Sequence, residues 1–92
     1  MFILVSYDIP DDRRRVRLAK VLQDYGERVQ YSVFECDLTQ KQLQQMVREV
    51  RQVISDEQDS VRVYLLCREC VGRIQAFGRA KLPDEEPLVF IV

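Results

Sequence analysis

A chain of 92 residues, 47% hydrophobic and 32% charged, has the composition of one soluble folded domain and excludes both a disordered segment and a multidomain assembly. Histidine is absent, so one chain cannot run any scheme that needs imidazole as base, acid or metal ligand; Ser-His, Cys-His, two-histidine ribonuclease and HExxH zinc mechanisms fall together. A net charge of −1 is not that of a uniformly basic nucleic-acid binder, which leaves carboxylate and metal chemistry, or a local basic patch, as what these residues supply.

Met1 leads directly into an apolar run with no basic leader before it and no stretch of membrane-spanning length, so a cytoplasmic protein with no membrane association is expected. Residues 2–7, Phe-Ile-Leu-Val-Ser-Tyr, read as a strand buried on both faces in the middle of a sheet. Pro10 ends it, which leaves Asp8 on the sheet rim and Asp11 or Asp12 to cap a helix. Val16, Ala19, Leu22 and Tyr25 recur at helical spacing, so a helix is predicted over 12–25 with Gly26 as its left-handed C-terminal residue.

Residues 28–38 alternate like a strand, with Val29, Tyr31 and Val33 on one face, and at eleven residues they are read as two strands meeting near Tyr31 and Ser32. Thr39-Gln40-Lys41-Gln42 has the form of a capping box, and Leu43, Met46, Val47, Val50, Val53 and Ile54 carry a second helix. After a polar loop over 55–60 comes a strand over 61–67, then a short helical turn within 70–78. Residues 87–92 form a last apolar strand that needs a sheet edge, its own or a partner's. The order is βαββαβ, a single α+β ferredoxin-like domain over 1–92 with both helices on one sheet face, plus 83–92 as a surplus strand for dimerisation. A chain this short buries more surface by pairing with itself, so a homodimer is expected.

Three groups of residues bear on chemistry. Arg13, Arg14, Arg15, Arg17, Lys20 and Arg28 crowd the first helix and the segment after it, a basic face able to hold phosphate or simply a solvated one. Asp8, Asp11 and Asp12 offer oxygen to Mg²⁺, but the latter two are better explained as helix caps, which leaves Asp8 as the candidate ligand. Cys67-x-x-Cys70 and Cys36 are too few for structural zinc, and Arg68-Glu69 is not the usual spacer of a redox motif, so these read as buried or half-buried reduced thiols.

Tyr7-Asp8-Ile9, the run from Asp11 to Arg15 and the block from Gly26 to Glu35, with Arg28-Val29-Gln30-Tyr31-Ser32-Val33-Phe34-Glu35 at its heart, resemble the CRISPR-associated protein two family, the small partner of the CRISPR integrase. The likeness extends through Asp59–Tyr64, Cys67-x-x-Cys70, Gly78 and the C-terminal strand. It implies a ferredoxin-like homodimer whose C-terminal strand joins the partner's sheet. It also implies either a Mg²⁺-dependent endoribonuclease for single-stranded RNA, a nuclease for double-stranded DNA, or a non-catalytic DNA-binding bridge between two integrase dimers for spacer insertion. The residues matching family nuclease positions are Tyr7, Asp8, Arg15, Arg17, Arg28 and Phe34, with Asp8 as metal ligand; Arg13, Arg14, Arg15, Arg17 and Arg28 are the expected nucleic-acid contacts.

Overall fold

The computed structural model describes residues 1–83. The elements are β1 (Phe2–Asp8), α1 (Asp12–Gln23), β2 (Gly26–Gln30), β3 (Val33–Asp37), α2 (Gln40–Val53), β4 (Ser60–Leu66) and α3 (Arg68–Val71), and the strands form one antiparallel sheet in the order β2-β3-β1-β4. This is the expected ferredoxin-like topology. The expected dimerisation strand over 83–92 lies outside the described residues but for Pro83.

β1 is central because it is apolar enough to be paired on both edges, with β3 along Phe2–Ser6 and with β4 along its whole length. Its two faces are not equal, however, which corrects the expectation of burial on both. Ile3, Val5 and Tyr7 are buried, whereas Phe2, Leu4 and Ser6 are only half-buried. The helices cover the first face alone: Leu18, Ala19 and Leu22 of α1 and Leu43, Met46, Val50 and Val53 of α2 join Ile3, Val5, Phe34 and Cys36 in one core. Each fully buried side chain among them contributes about 1.5–3 kcal/mol of transfer free energy.

Caps fix where the helices begin. The Asp11 carboxylate accepts the Arg14 backbone N–H at 2.9 Å, and at α2 the Thr39 hydroxyl accepts from Gln42 N–H (3.2 Å) while the Gln42 side chain accepts from Thr39 N–H (2.9 Å), the reciprocal box that the sequence announced. Tyr25 donates its hydroxyl to Glu49 and so pins the end of α1 to α2; burial, and then Glu49, push this phenol up to about 12.

Gly26 is not a left-handed cap. α1 ends earlier, at Gln23, and Gly26 already belongs to β2, where an added Cβ would stand 2.2 Å from the Glu35 carbonyl and 2.5 Å from Cys36 Sγ. Glycine is there for close approach of two strands.

The break in residues 28–38 falls where expected: Gln30 faces Val33, and Tyr31 and Ser32 make the turn between them. The ladder slips between Arg28 and Gln30, so Val29 is bulged out; Val29 (43%) and Tyr31 (71%) are exposed while Phe34 and Cys36 face the core. The final helical turn, α3, starts before the predicted span because Cys67, not a later residue, serves as its N-cap.

Candidate functional site

The run from Arg13 to Arg17 is contiguous in sequence but is dispersed by the 100° step of the helix. Arg13 and Arg17 lie exposed beside Val16, and Lys20 continues the same stripe at i, i+4, i+7, a row of cations about 10 Å long at 1.5 Å per residue. Arg14 turns the other way. Its Nε and Nη2 donate to the two carboxylate oxygens of Asp59 at 2.8 and 3.1 Å and its Nη2 also to Gln58 at 3.0 Å, in a pair whose acid is wholly shielded from solvent. Asp59 also accepts the Ser55 N–H, and the Arg14 guanidinium, then that backbone bond, hold its carboxyl below the usual carboxylate range despite the opposing effect of burial. This arginine, expected among the nucleic-acid contacts, is a strut between α1 and the loop before β4.

Arg15 takes a third direction, toward the end of β1. Its Nη1 donates to the Ile9 carbonyl at 2.8 Å, its Nη2 pairs with Asp12, and its guanidinium carbon lies 6.0 Å from the Tyr31 ring centroid. Here the structure brings together four of the predicted residues. Tyr7 stacks on Phe34 at 6.4 Å between centroids, Arg28 lies over the Phe34 ring at 5.5 Å, and the Tyr7 hydroxyl donates to the Tyr31 carbonyl at 3.4 Å. Burial raises the Tyr7 phenol, against the lowering effect of Arg28 and Arg15, so at neutral pH it is a neutral donor. Phe34 is fully buried and therefore acts on anything outside only by positioning Tyr7 and Arg28.

Asp8 shares the strand end but not the side. Alternation along β1 puts it on the face opposite Tyr7, where it sits exposed across from Ser60. Asp11 and Asp12 are occupied as cap and ion-pair partner, whereas the Asp8 carboxylate makes no hydrogen bond or ion pair among the described residues. No cluster of three or more metal-ligating acids or thiols exists among those residues. Mg²⁺ keeps several waters and takes one or two carboxylates, so one open aspartate is a fitting but incomplete ligand set. Arg17, two positions and hence about 200° round α1 from Arg15, lies exposed on the stripe with Arg13.

Sequence reasoning missed Tyr31, exposed at the hairpin tip beside Arg15, and Asp59, the partner of Arg14. The only signal for Tyr31 was a large aromatic inside a turn; none marked Asp59, which lies 45 positions from its partner. The reading of Cys67 and Cys70 as buried or half-buried is corrected, since both are exposed and only Cys36 is buried. Among the described residues no second layer covers this four-residue turn where it leaves the sheet. No helix among the described residues is long and apolar enough to cross a membrane.

Comparison with known proteins bears on the family and the fold. The family model described as CRISPR associated protein Cas2 matches residues 1–74. The chain is 41% identical, over 93 aligned positions and the full length of both, to "CRISPR-associated endoribonuclease Cas2 1" of Chloroflexus aurantiacus. Among solved structures it superposes on the hypothetical protein TT1823 of Thermus thermophilus with a TM-score of 0.80 at 43% identity, covering 90% of this chain and 96% of that one. It also superposes on a chain of a partial Cas6-RT-Cas1–Cas2 complex with a TM-score of 0.76 at 27% identity, covering 94% and 93%. The chain belongs to the CRISPR associated protein Cas2 family.

Proposed function

We propose that this chain is a homodimeric nucleic-acid-binding subunit of CRISPR adaptation that bridges integrase dimers during spacer insertion. The observation that carries this reading is the outward stripe of Arg13, Arg17 and Lys20, free, among the described residues, of carboxylate partners such as those that occupy Arg14 and Arg15. Such a row contacts backbone phosphates and reads no base, which suits a subunit that must hold DNA of any sequence. Dimerisation is supported by the sheet face left uncovered by the helices, where half-buried Phe2, Leu4 and Leu66 adjoin exposed Tyr64. The integrase as partner is supported by the complex to which one structural neighbour belongs.

A second reading, hydrolysis of single-stranded RNA, is favoured by the open carboxylate of Asp8 and by the endoribonuclease name of the relatives. Asp8 would hold Mg²⁺, with a second protomer's Asp8 or substrate phosphate completing the shell. The bound ion would supply a water of lowered pKa and a counter-charge for the phosphate in flight. Arg15 and Arg28 stand on the other side of the β1 end, where they would neutralise charge on a phosphate chain passing round it; Tyr7, a neutral phenol bonded to the Tyr31 carbonyl, and Phe34 hold that group in place. The same set would serve cleavage of double-stranded DNA.

Replacing Asp8 by Asn separates the two readings, because Asn keeps the shape and removes the charge. Assayed with Mg²⁺ on RNA and, with the integrase present, for spacer acquisition, the variant is expected to lose cleavage by about 100-fold or more and to retain acquisition. Loss of acquisition in a variant that folds, dimerises and binds the integrase would reverse the ranking.

A further inference from the structure

Cys67 and Cys70 take no part in either reading, and their geometry is specific. β4 ends at Leu66 and α3 begins at Arg68, so Cys67 is the N-cap and Cys70 the third helical residue. The Cα–Cα separation across this step is set by the helical torsions of Arg68 and Glu69 and comes to about 5 Å from helix rise and radius. A disulfide accepts roughly 4.4–6.8 Å. Side-chain direction agrees as well: the extended backbone of Cys67 (φ −70°, ψ 164°) turns its Sγ over the first turn, where it accepts the Cys70 N–H at 3.3 Å. A side chain at the third position leans back toward the N-terminus, which directs the Cys70 sulfur toward the turn that Cys67 Sγ overhangs.

The two thiols are also unequal. Cys67 is held below the ordinary thiol value, first by the backbone N–H of Cys70 and then by its thiol, while Cys70 is raised, chiefly by its hydrogen bond to Cys67. The asymmetry, together with the Cys70 N–H aimed at its sulfur, favours Cys67 as the attacking group. Cys36, by contrast, is buried, and burial pushes its thiol up to about 11.

We propose that Cys67 and Cys70 form a reversible dithiol–disulfide site that exchanges with small-molecule disulfides. With glutathione disulfide as oxidant, the Cys67 thiolate attacks one sulfur, an S–S bond to glutathione forms, and one glutathione thiolate leaves. Cys70 then yields its proton to solvent and attacks the Cys67 sulfur, which forms the intrachain bond and expels the second glutathione thiolate. From the Cys67 thiolate and Cys70 thiol the chain loses two electrons and one proton (two protons counted from the dithiol), and glutathione disulfide gains the two electrons as it becomes two thiolates. The oxidised form closes the turn covalently where the chain leaves the sheet toward residues 74–83.

The test uses the full-length folded chain in graded buffers of reduced and oxidised glutathione, quenched by alkylation and read by peptide mass spectrometry. Expected is a Cys67–Cys70 disulfide that reverts with excess reduced glutathione, with Cys36 unmodified until the chain is unfolded. Cys70→Ser is expected to stop at a glutathione adduct on Cys67, and Cys67→Ser to react about tenfold more slowly than Cys70→Ser. The wild-type readout stands without either variant. A stable glutathione adduct without the intrachain bond, disulfides between chains, or equal rates in the two variants would overturn the proposal.

Discussion

Arg13 and Arg14 are neighbours in sequence and belong to two different regions of the molecule. The outward side of α1 carries Arg13, Arg17 and Lys20 in no ion pair among the described residues, whereas its flank toward the loop over 55–60 carries Arg14 locked to a shielded Asp59. The difference shows that a basic run on a helix is not a basic patch. Rotation splits the run into cations that a phosphate can reach and cations already spent on the fold. Arg15 stands between the two cases, paired with Asp12 yet beside Tyr31 at the end of β1.

Of the residues spent on the fold, Gly26 is the most vulnerable, where β2 lies against β3. Gly26→Ala forces a Cβ into the Glu35 carbonyl and is expected to cost about 1–3 kcal/mol or more in chemical denaturation. The phosphate affinity of the folded fraction should stay intact. Unchanged stability would mean that β2 and β3 separate freely.

Asp59→Asn probes the strut by pH. The Asp59 carboxyl is lowered on folding, so the stability it contributes is fully present above the ordinary value near ~3.9 and is lost as pH falls through the folded value. Thermal unfolding followed from neutral to strongly acid pH should therefore show a lower neutral Tm and a shallower acid limb in the variant; an identical acid limb would remove Asp59 from the account.

The smallest effect is expected at Glu35, which faces Glu27 across β2 and β3 and whose carboxyl is raised by burial and then by that like charge. The sign is opposite to that of Asp59: folding favours the protonated acid, and stability falls as pH rises through the folded value. Glu35→Gln should stabilise the chain at neutral pH by about 0.2–1 kcal/mol, measurable as a raised urea midpoint.

Much of this was legible from the sequence where the determinants are local. The Thr39–Gln42 box, the Asp11 cap and the apolar spacing of α2 are written within a few residues of each other, and so was the order of elements. The turn at Tyr31 and Ser32 was found from strand length alone, with no glycine or asparagine to mark it. What could not be read depends on distant partners. Gly26 looked like a helix end because its reason, the Glu35 carbonyl, arrives only when β3 pairs; the pairing of Arg14 with Asp59 was not legible because the fold brings Asp59 to it from 45 positions away. The candidate site was legible as a set of residue types, yet strand alternation divides Asp8 from Tyr7, and helix rotation divides Arg17 from Arg15. The C-terminal strand, expected to complete a dimer, lies outside the described residues.

The central claim, that the outward stripe of α1 and not the whole arginine run holds nucleic acid, is tested most directly by the salt dependence of duplex binding in fluorescence anisotropy. Arg13→Ala with Arg17→Ala removes two phosphate contacts from each protomer and four from the homodimer, so the slope of log affinity against log salt should shrink by about 4 while stability changes by less than about 0.5 kcal/mol per protomer. Arg14→Ala should do the reverse, lowering Tm and leaving the slope of the folded protein as in the wild type. An unchanged slope in the double variant, or a slope reduced by Arg14→Ala alone, would contradict the account.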